Sequence, residues 1–362
     1  MTRIAILSPL IVDGDAVSHD VLGMHQALLK AGYEAQVFAE NWKVSTPKIK
    51  HTNKIKSFLQ SSSDILIYHY SVGWLDGLAL LHELNCRKII KYHNVTPPIF
   101  YEGINTDYVS VCRAGREQLK SIVDVGCDLY LADSEYNAQE LQAQGVSQAK
   151  SFVLPPFHHI DRLQYSDADL SVIDKYQDGK TNVLMVGRIA PNKGHLALID
   201  AFNIYYRHYN PNSRLLIVGK PDERLKLYNE LLFERVNSLN LKDAIVFTGE
   251  ISCEALKAYY LVSQIFMITS QHEGFCVPLV EAMAMKLPIV AYGSSAIPQT
   301  VGKTGLVWEE LNPHLLAGSV DHIVRNDFVS ASLGEMGWRR YKGTFVNEQI
   351  ETRFMEVLAH LA

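Results

Sequence analysis

The sequence predicts an α/β protein of two Rossmann-like domains, each built on a parallel sheet. Two observations carry this prediction. Short apolar runs alternate with amphipathic helical stretches along most of the 362 residues, and such alternation calls for parallel strands joined by crossover helices. The length corresponds to about two domains, and the rhythm breaks once. Residues 154–176 hold Pro155, Pro156, His158, His159 and several aspartates with no clear period, so the domain junction is expected there.

In the first half, Arg3–Leu10 reads as a buried strand. Ser18–Ala31 reads as a helix, with Val21, Leu22, Met24, His25, Leu28 and Leu29 at helical spacing and Gly32 as its stop. Ala35–Ala39, Asp64–His69, Lys88–Tyr92 and Asp128–Ala132 read as further strands. After the junction the alternation restarts. Strands are expected over Asn182–Gly187, Ser213–Gly219, Ala244–Thr248, Ile265–Thr269 and Ile289–Tyr292. Helices are expected over His195–His208, Glu223–Leu239, Ser252–Leu261 and Pro278–Met285. The last stretch, Glu348–Leu361, places Phe354, Val357, Leu358 and Leu361 on one helical face.

Composition narrows the class. The chain is 48% hydrophobic and 20% charged, which excludes a disordered or collagen-like protein. A net charge of −5 and a pI near 6.3 argue against a dedicated nucleic-acid binder. Five cysteines, none at CxxC spacing, argue against a disulfide framework or a thiolate zinc site and fit a reducing cytoplasm. The longest uncharged run, Ala258–His272, is broken by Gln264 and several Ser and Thr, so no membrane span is expected. The apolar start, Ile4–Val12, is interrupted by Pro9 and lacks a small-residue cleavage site, so it reads as a strand rather than a signal peptide.

In open parallel sheets, ligands bind beyond the carboxyl ends of the strands. Two such domains facing each other would form an interdomain cleft, so the informative residues should follow strands. The segment Glu273-Gly-Phe-Cys-Val-Pro-Leu-Val-Glu281 does so. Gly274 permits close backbone approach, and Pro278 suits the first turn of a helix, so the loop offers amides beside a helix N-terminus, a ready anion site. A glycosidase acid/base pair needs carboxyl groups about 5–9.5 Å apart. Eight residues span about 12 Å even when helical, so Glu273 and Glu281 fit two separate hydroxyl-binding carboxylates better. On spacing alone, a helix cap plus a surface Glu is an equal reading. A second segment, Val186-Gly-Arg188-Ile-Ala-Pro-Asn-Lys193-Gly194, offers Arg188 and Lys193 to phosphate oxygens. It is no Walker loop, and without further context two basic loop residues read as a solvated face.

These segments together resemble family 4 of the retaining glycosyltransferases, which have the two-domain GT-B fold. The matching residues are VGRIAPNKG (186–194), LLIVGK (215–220), VFTGEIS (246–252) and HEGFCVPLVEAMAMKLPIVAY (272–292), the last carrying the E-x7-E signature. The resemblance implies a nucleotide-sugar donor, no metal and no further cofactor. It implies donor-sugar contacts by Glu273, and sugar and diphosphate contacts by the amides of Gly274, Phe275, Cys276 and Val277. Glu281 would hold the ribose, Arg188 and Lys193 the diphosphate, and residues near Thr248–Ile251, Gly249 and Glu250 among them, the base. It also places a catalytic His after the strand Lys88–Tyr92, facing the donor sugar, which is His93 here. By the same resemblance the loop with Gly14 and Asp15 lies near the donor phosphates, although one glycine stands where many relatives have two. The domains would be 1–160 on the acceptor side and 161–344 on the nucleotide-sugar side, with the terminal helix, 345–362, crossing back to the first.

Other features are read from the residues. Asp13 and Asp15 have DxD spacing, but a loop Asp before a helix is more often a cap. Asn94 and Ser134 are weaker neighbours of His93, and His69 and His82 are taken as structural. Residues 41–63 hold Lys43, Lys48, Lys50, Lys54 and Lys56 with no acid, interleaved with Trp42, Ile49, Ile55, Phe58 and Leu59. This is either a solvated face or a patch that meets anionic lipid, which would suit a lipid-linked acceptor. The resulting expectation is a cytoplasmic, metal-independent, retaining transferase. It would use a UDP- or GDP-linked sugar and a glycan or lipid-linked acceptor in envelope polysaccharide or glycolipid synthesis, peripheral to the inner membrane face if the patch binds. A sugar-nucleotide epimerase of the same fold and a non-catalytic membrane scaffold are the alternatives.

Overall fold

The structure is a computed structural model and describes residues 2–361. It divides into two compact units. One comprises Met1–Ile99, Asp107–His158 and Val346–Ala362, and the other Phe100–Thr106 and His159–Phe345.

The first unit holds strands β1 (Arg3–Ile11), β2 (Glu34–Trp42), β3 (Lys50–His51), β4 (Ile65–Tyr70), β5 (Arg87–Tyr92), β6 (Leu129–Ala132) and β7 (Ser151–Val153). They form one seven-stranded parallel sheet in the order β3-β2-β1-β4-β5-β6-β7. β1 is central, and Ile4 to Leu7 are fully buried, as expected for a strand covered on both faces. Alternation sends Ala5 and Leu7 into one core with Leu66, Tyr68 and Tyr70. Ile4 and Ile6 enter the other core, with Val21 and Met24 of the helix Ala16–Lys30. The terminal helix Asn347–Ala359 completes that second core through Ile350, Phe354, Val357 and Leu358.

The second unit holds β8 (Thr181–Val186), β9 (Ser213–Val218), β10 (Ile245–Phe247), β11 (Ile265–Ile268), β12 (Ile289–Tyr292) and β13 (Gly305–Trp308). Its six strands are parallel in the order β10-β9-β8-β11-β12-β13. In each sheet the strand order reverses direction once, between β1 and β4 and between β8 and β11. Helices leave opposite faces there and open a crevice at the carboxyl edge.

Among the described residues, no helix is long and apolar enough to cross a membrane. The lysine-rich segment is mostly loop around β3 and two short helical turns, Thr52–Lys54 and Ile55–Phe58. Ile49, Ile55 and Leu59 are core residues, Phe58 is half-buried, and Trp42 is exposed. Lys50 lies over the Phe58 ring and Lys56 pairs with Glu83 at 2.7 Å, while Lys43, Lys48 and Lys54 are exposed.

Candidate functional site

In the second unit, the reversal in strand order brings the loop after β8 beside the loop after β11. β8 ends in Gly187 and exposed Arg188. The chain then makes a single turn, Pro191–Lys193, and enters the helix His195–His208 through Gly194. Gly194 has φ +69°, and a Cβ there would lie 2.1 Å from the Thr269 carbonyl oxygen. Only glycine fits a position both left-handed and so close to neighbouring backbone. Thr269 fastens the same contact by donating its hydroxyl to the Gly194 carbonyl at 2.9 Å. Asn192 adds a second tie. Its carbonyl accepts the Gln271 amide at 2.8 Å, and its Nδ2 donates to the His272 carbonyl at 3.1 Å.

This stitching sets Lys193 against Glu273. Lys193 Nζ donates to Glu273 Oε1 and Oε2, each at 2.8 Å, and the carboxylate side chain is 7% exposed. The Glu273 amide donates to Ser295 Oγ at 2.7 Å, which fixes the main chain at that point. Past Glu273 the chain passes Gly274 and Phe275 to Cys276, whose φ of +75° is unusual for a non-glycine residue. The helix Val277–Ala284 begins there with no side-chain cap and Pro278 in its first turn. Among the described residues, no group accepts the amides of Gly274, Phe275 or Cys276. The Phe275 carbonyl, by contrast, is held by Thr300 Oγ1 at 2.9 Å. The loop therefore presents free donors at a positive helix end, next to the Lys193 ammonium.

Glu281 sits one turn further on. Its Oε2 accepts the Tyr260 hydroxyl at 2.8 Å, and burial raises its carboxyl above the ordinary 4.5 although Tyr260 pulls the other way. Burial also pushes the Cys276 thiol far up, so it is no thiolate nucleophile. At the ends of β9 and β10, Gly219 and Gly249 form a bridge, and a Cβ on Gly219 would lie 1.9 Å from the Gly187 carbonyl oxygen. Glu250 is exposed and pairs with Lys220 at 2.7 Å.

The first unit places its expected residues separately. Asp15 caps the helix Ala16–Lys30, with Oδ2 accepting both the amide and the hydroxyl of Ser18 at 2.9 Å. Asp13 Oδ1 accepts the Gly14 amide at 3.0 Å. Gly14 is exposed with φ +75°. His93 follows β5, but its ring turns inward and is 4% exposed. Nδ1 meets Asp133 Oδ2 at 2.9 Å and Nε2 meets His69 Nδ1 at 2.9 Å. Both ring nitrogens are thus engaged by protein, and the exposure that His93 retains lies in its main chain. Asn94, with φ +76°, donates Nδ2 to Asn137 Oδ1 at 2.8 Å and to Glu140 Oε2 at 2.7 Å. Ser134 caps the helix Glu135–Ala143. Sequence reading leaves out Asp20, Lys91 and Asp133, all buried beside His93. Buried charges inside otherwise apolar stretches were the available signal.

Residues 170–339 match the model of the glycosyl transferases group 1 family. The match covers just under half of the chain. Among curated relatives, the chain is 33% identical over 182 residues to the mannosylfructose-phosphate synthase of Agrobacterium fabrum, covering 48% of this chain and 40% of that one. It is 25% identical over 239 residues to a GDP-mannose-dependent alpha-(1-6)-phosphatidylinositol monomannoside mannosyltransferase of Mycobacterium tuberculosis, covering 63% of this chain and 60% of that one. The matches thus span well under two thirds of these relatives. Among solved structures, sucrose-phosphate synthase from Thermosynechococcus elongatus superposes with a TM-score of 0.77 at 20% identity, over 100% of this chain and 99% of that one. Anabaena Alr3699/HepE, in complex with UDP and glucose, superposes with a TM-score of 0.75 at 16% identity, over 99% of this chain and all of that one. The fold is accordingly of the GT-B class, with two Rossmann-like parallel-sheet units.

Proposed function

We propose that the protein transfers a sugar from a UDP- or GDP-linked donor to a glycan or lipid-linked acceptor, with retention of configuration and without a metal ion. The observation that carries this reading is the Lys193–Glu273 pair set beside the unaccepted amides of Gly274, Phe275 and Cys276. The donor diphosphate lies over these amides, with Arg188 and Lys193 as its cations. Charge grows on the diphosphate as the sugar–phosphate bond loosens, and fixed donors aimed there stabilise the transition state more than the ground state. These groups supply the positive charge that a divalent cation would otherwise bring.

Glu273 takes sugar hydroxyls, and its ion pair with Lys193 links sugar and phosphate recognition. Glu281 takes the ribose hydroxyls, and Gly249 and Glu250 border the base. Val277 extends the amide row. His93 contributes through the turn it anchors. The relatives named for mannosyl transfer to a phosphatidylinositol lipid, and the exposed Lys43, Lys48 and Lys54, favour an acceptor at an anionic membrane surface. Envelope polysaccharide or glycolipid synthesis follows as the setting.

The test is turnover of UDP- and GDP-sugars without acceptor. Release of nucleoside diphosphate and free sugar supports a transferase whose acceptor is replaced by water. Recovery of an isomeric sugar nucleotide identifies an epimerase, and an untouched donor panel identifies a non-catalytic scaffold.

A further inference from the structure

Five ionisable side chains of the first unit meet under the carboxyl edge of its sheet. Asp20 comes from the helix Ala16–Lys30, His69 from β4, Lys91 and His93 from the end of β5, and Asp133 from the residue after β6. Side-chain exposure is 0% for Asp20, His69 and Lys91, 4% for His93 and 6% for Asp133. Lys91 Nζ donates to Asp133 Oδ1 and to the Leu154 carbonyl. Asp20 Oδ1 accepts the Phe157 amide at 2.7 Å. Asp20 Oδ2 accepts no hydrogen bond and stands 3.6 Å from His93 Nε2, 3.7 Å from His69 Nδ1 and 3.8 Å from Lys91 Nζ.

The charges do not balance with neutral imidazoles. Two carboxylates face one ammonium, which leaves a net negative charge out of water, and an uncompensated buried charge costs several kcal/mol, roughly. One added proton restores balance. The 2.9 Å contact between His93 Nε2 and His69 Nδ1 already uses one N–H, whichever ring supplies it. The added proton then has its acceptors in the triangle of Asp20 Oδ2, His69 Nδ1 and His93 Nε2.

We propose that Asp20, His69, His93, Lys91 and Asp133 form one charge-balanced unit retaining a single shared proton at neutral pH, with Asp20 and Lys91 as positioning residues for the turn His93–Val95. The effect on turnover rests on the transferase reading, whereas the proton does not. The turn follows β5 at the edge where such sheets bind ligands. Arg116 Nη1 holds its far end through the Val95 carbonyl at 2.8 Å, so the main chain is fixed from both ends. The directions favour the Asp20 carboxyl over the His69 ring as the holder of the proton. Burial raises the Asp20 carboxyl, against the pull of Lys91 and His93. Burial, with His93 and Lys91, depresses His69 far below its ordinary range. Burial would raise Asp133, but His93 and Lys91 hold it below the carboxylate range.

The experiment uses the full chain with labelled His and Asp side chains, together with Asp20→Asn, Lys91→Met and the double variant. NMR is expected to show either the Asp20 carboxyl or a fully protonated ring of the His69–His93 pair persisting at about pH 8, above the ordinary histidine range. Asp20→Asn abolishes that signal. Lys91→Met, which leaves two carboxylates against the shared proton, is expected to lower kcat about tenfold with donor KM nearly unchanged. Asp20→Asn, which leaves Asp133 balanced by Lys91, is expected to lower it less, and the double variant, with one carboxylate in place of two, to recover part of the Lys91→Met loss. An ionised Asp20 with two neutral rings at that pH overturns the proposal. So does a stoichiometric transition metal in the purified protein, since Asp20, His69 and His93 also have the spacing of metal ligands. A double variant no better than Lys91→Met overturns the charge-balance mechanism. If the singles do not fold, the wild-type spectra and the double variant still decide the matter.

Discussion

Lys193 Nζ lies 2.8 Å from both carboxylate oxygens of Glu273, so one ammonium spans the loops after β8 and β11. Two strands adjacent in space but far apart in sequence deliver the two partners. Lys193→Met removes the cation and leaves Glu273 nearly buried without its counter-ion. The expected loss of stability is about 2 kcal/mol or more, read by thermal or denaturant unfolding. Donor turnover should fall by about 100-fold, measured as nucleoside diphosphate release.

Gly194 and Gly14 share positive φ angles, +69° and +75°, but differ in surroundings. A Cβ on Gly14 meets nothing within 4 Å, whereas one on Gly194 meets the Thr269 carbonyl oxygen at 2.1 Å. Gly14→Ala should cost about 1–2 kcal/mol from backbone strain alone. Gly194→Ala should cost more than that and displace the Lys193 loop, because the Thr269 carbonyl is backbone at the exit of β11 and cannot move aside. Melting temperatures of the two variants rank the costs directly.

Glu281 makes a pH-dependent prediction of defined sign. Burial raises its folded-state pKa above 4.5, so folding favours the protonated form. Its contribution to stability is then fully present below the unfolded-state pKa and is lost as pH rises through the raised folded value. Glu281→Gln keeps an acceptor for the Tyr260 hydroxyl without the charge. The variant should be more stable than wild type at neutral pH, with the gap closing as pH falls through the raised folded value toward 4.5. The same change should weaken nucleotide binding, because a neutral amide is a poorer acceptor for two ribose hydroxyls. Unfolding curves across pH, paired with calorimetric binding, check both halves.

The fold was largely legible because buried parallel strands read as apolar runs and their helices carry a clear period. The helix His195–His208 has the bounds that its periodicity predicts. β7 and β13 were not legible, since three and four half-buried or exposed residues make no apolar run. The segment 154–176 lacks a period because it contains two short helices, Ile160–Tyr165 and Leu170–Tyr176. In the candidate site, Arg188, Lys193 and Glu273 could be singled out because glycine and proline mark their loops. Their pairing could not, because it depends on β8 and β11 being neighbours. The cluster around His93 was hidden for the same reason. Asp20 sits inside a helical pattern and Lys91 inside a strand, and only the sheet order joins them.

The carboxyl edge of the second unit is expected to bind a nucleoside diphosphate through fixed charges and amides. The decisive measurement is calorimetric titration of the full chain with UDP, GDP and ADP, with and without a chelator. Selective binding of UDP or GDP is expected, unchanged by chelation and weakened by Lys193→Met and by Glu281→Gln. Binding that requires a divalent cation, or no binding of any of the three, would contradict it.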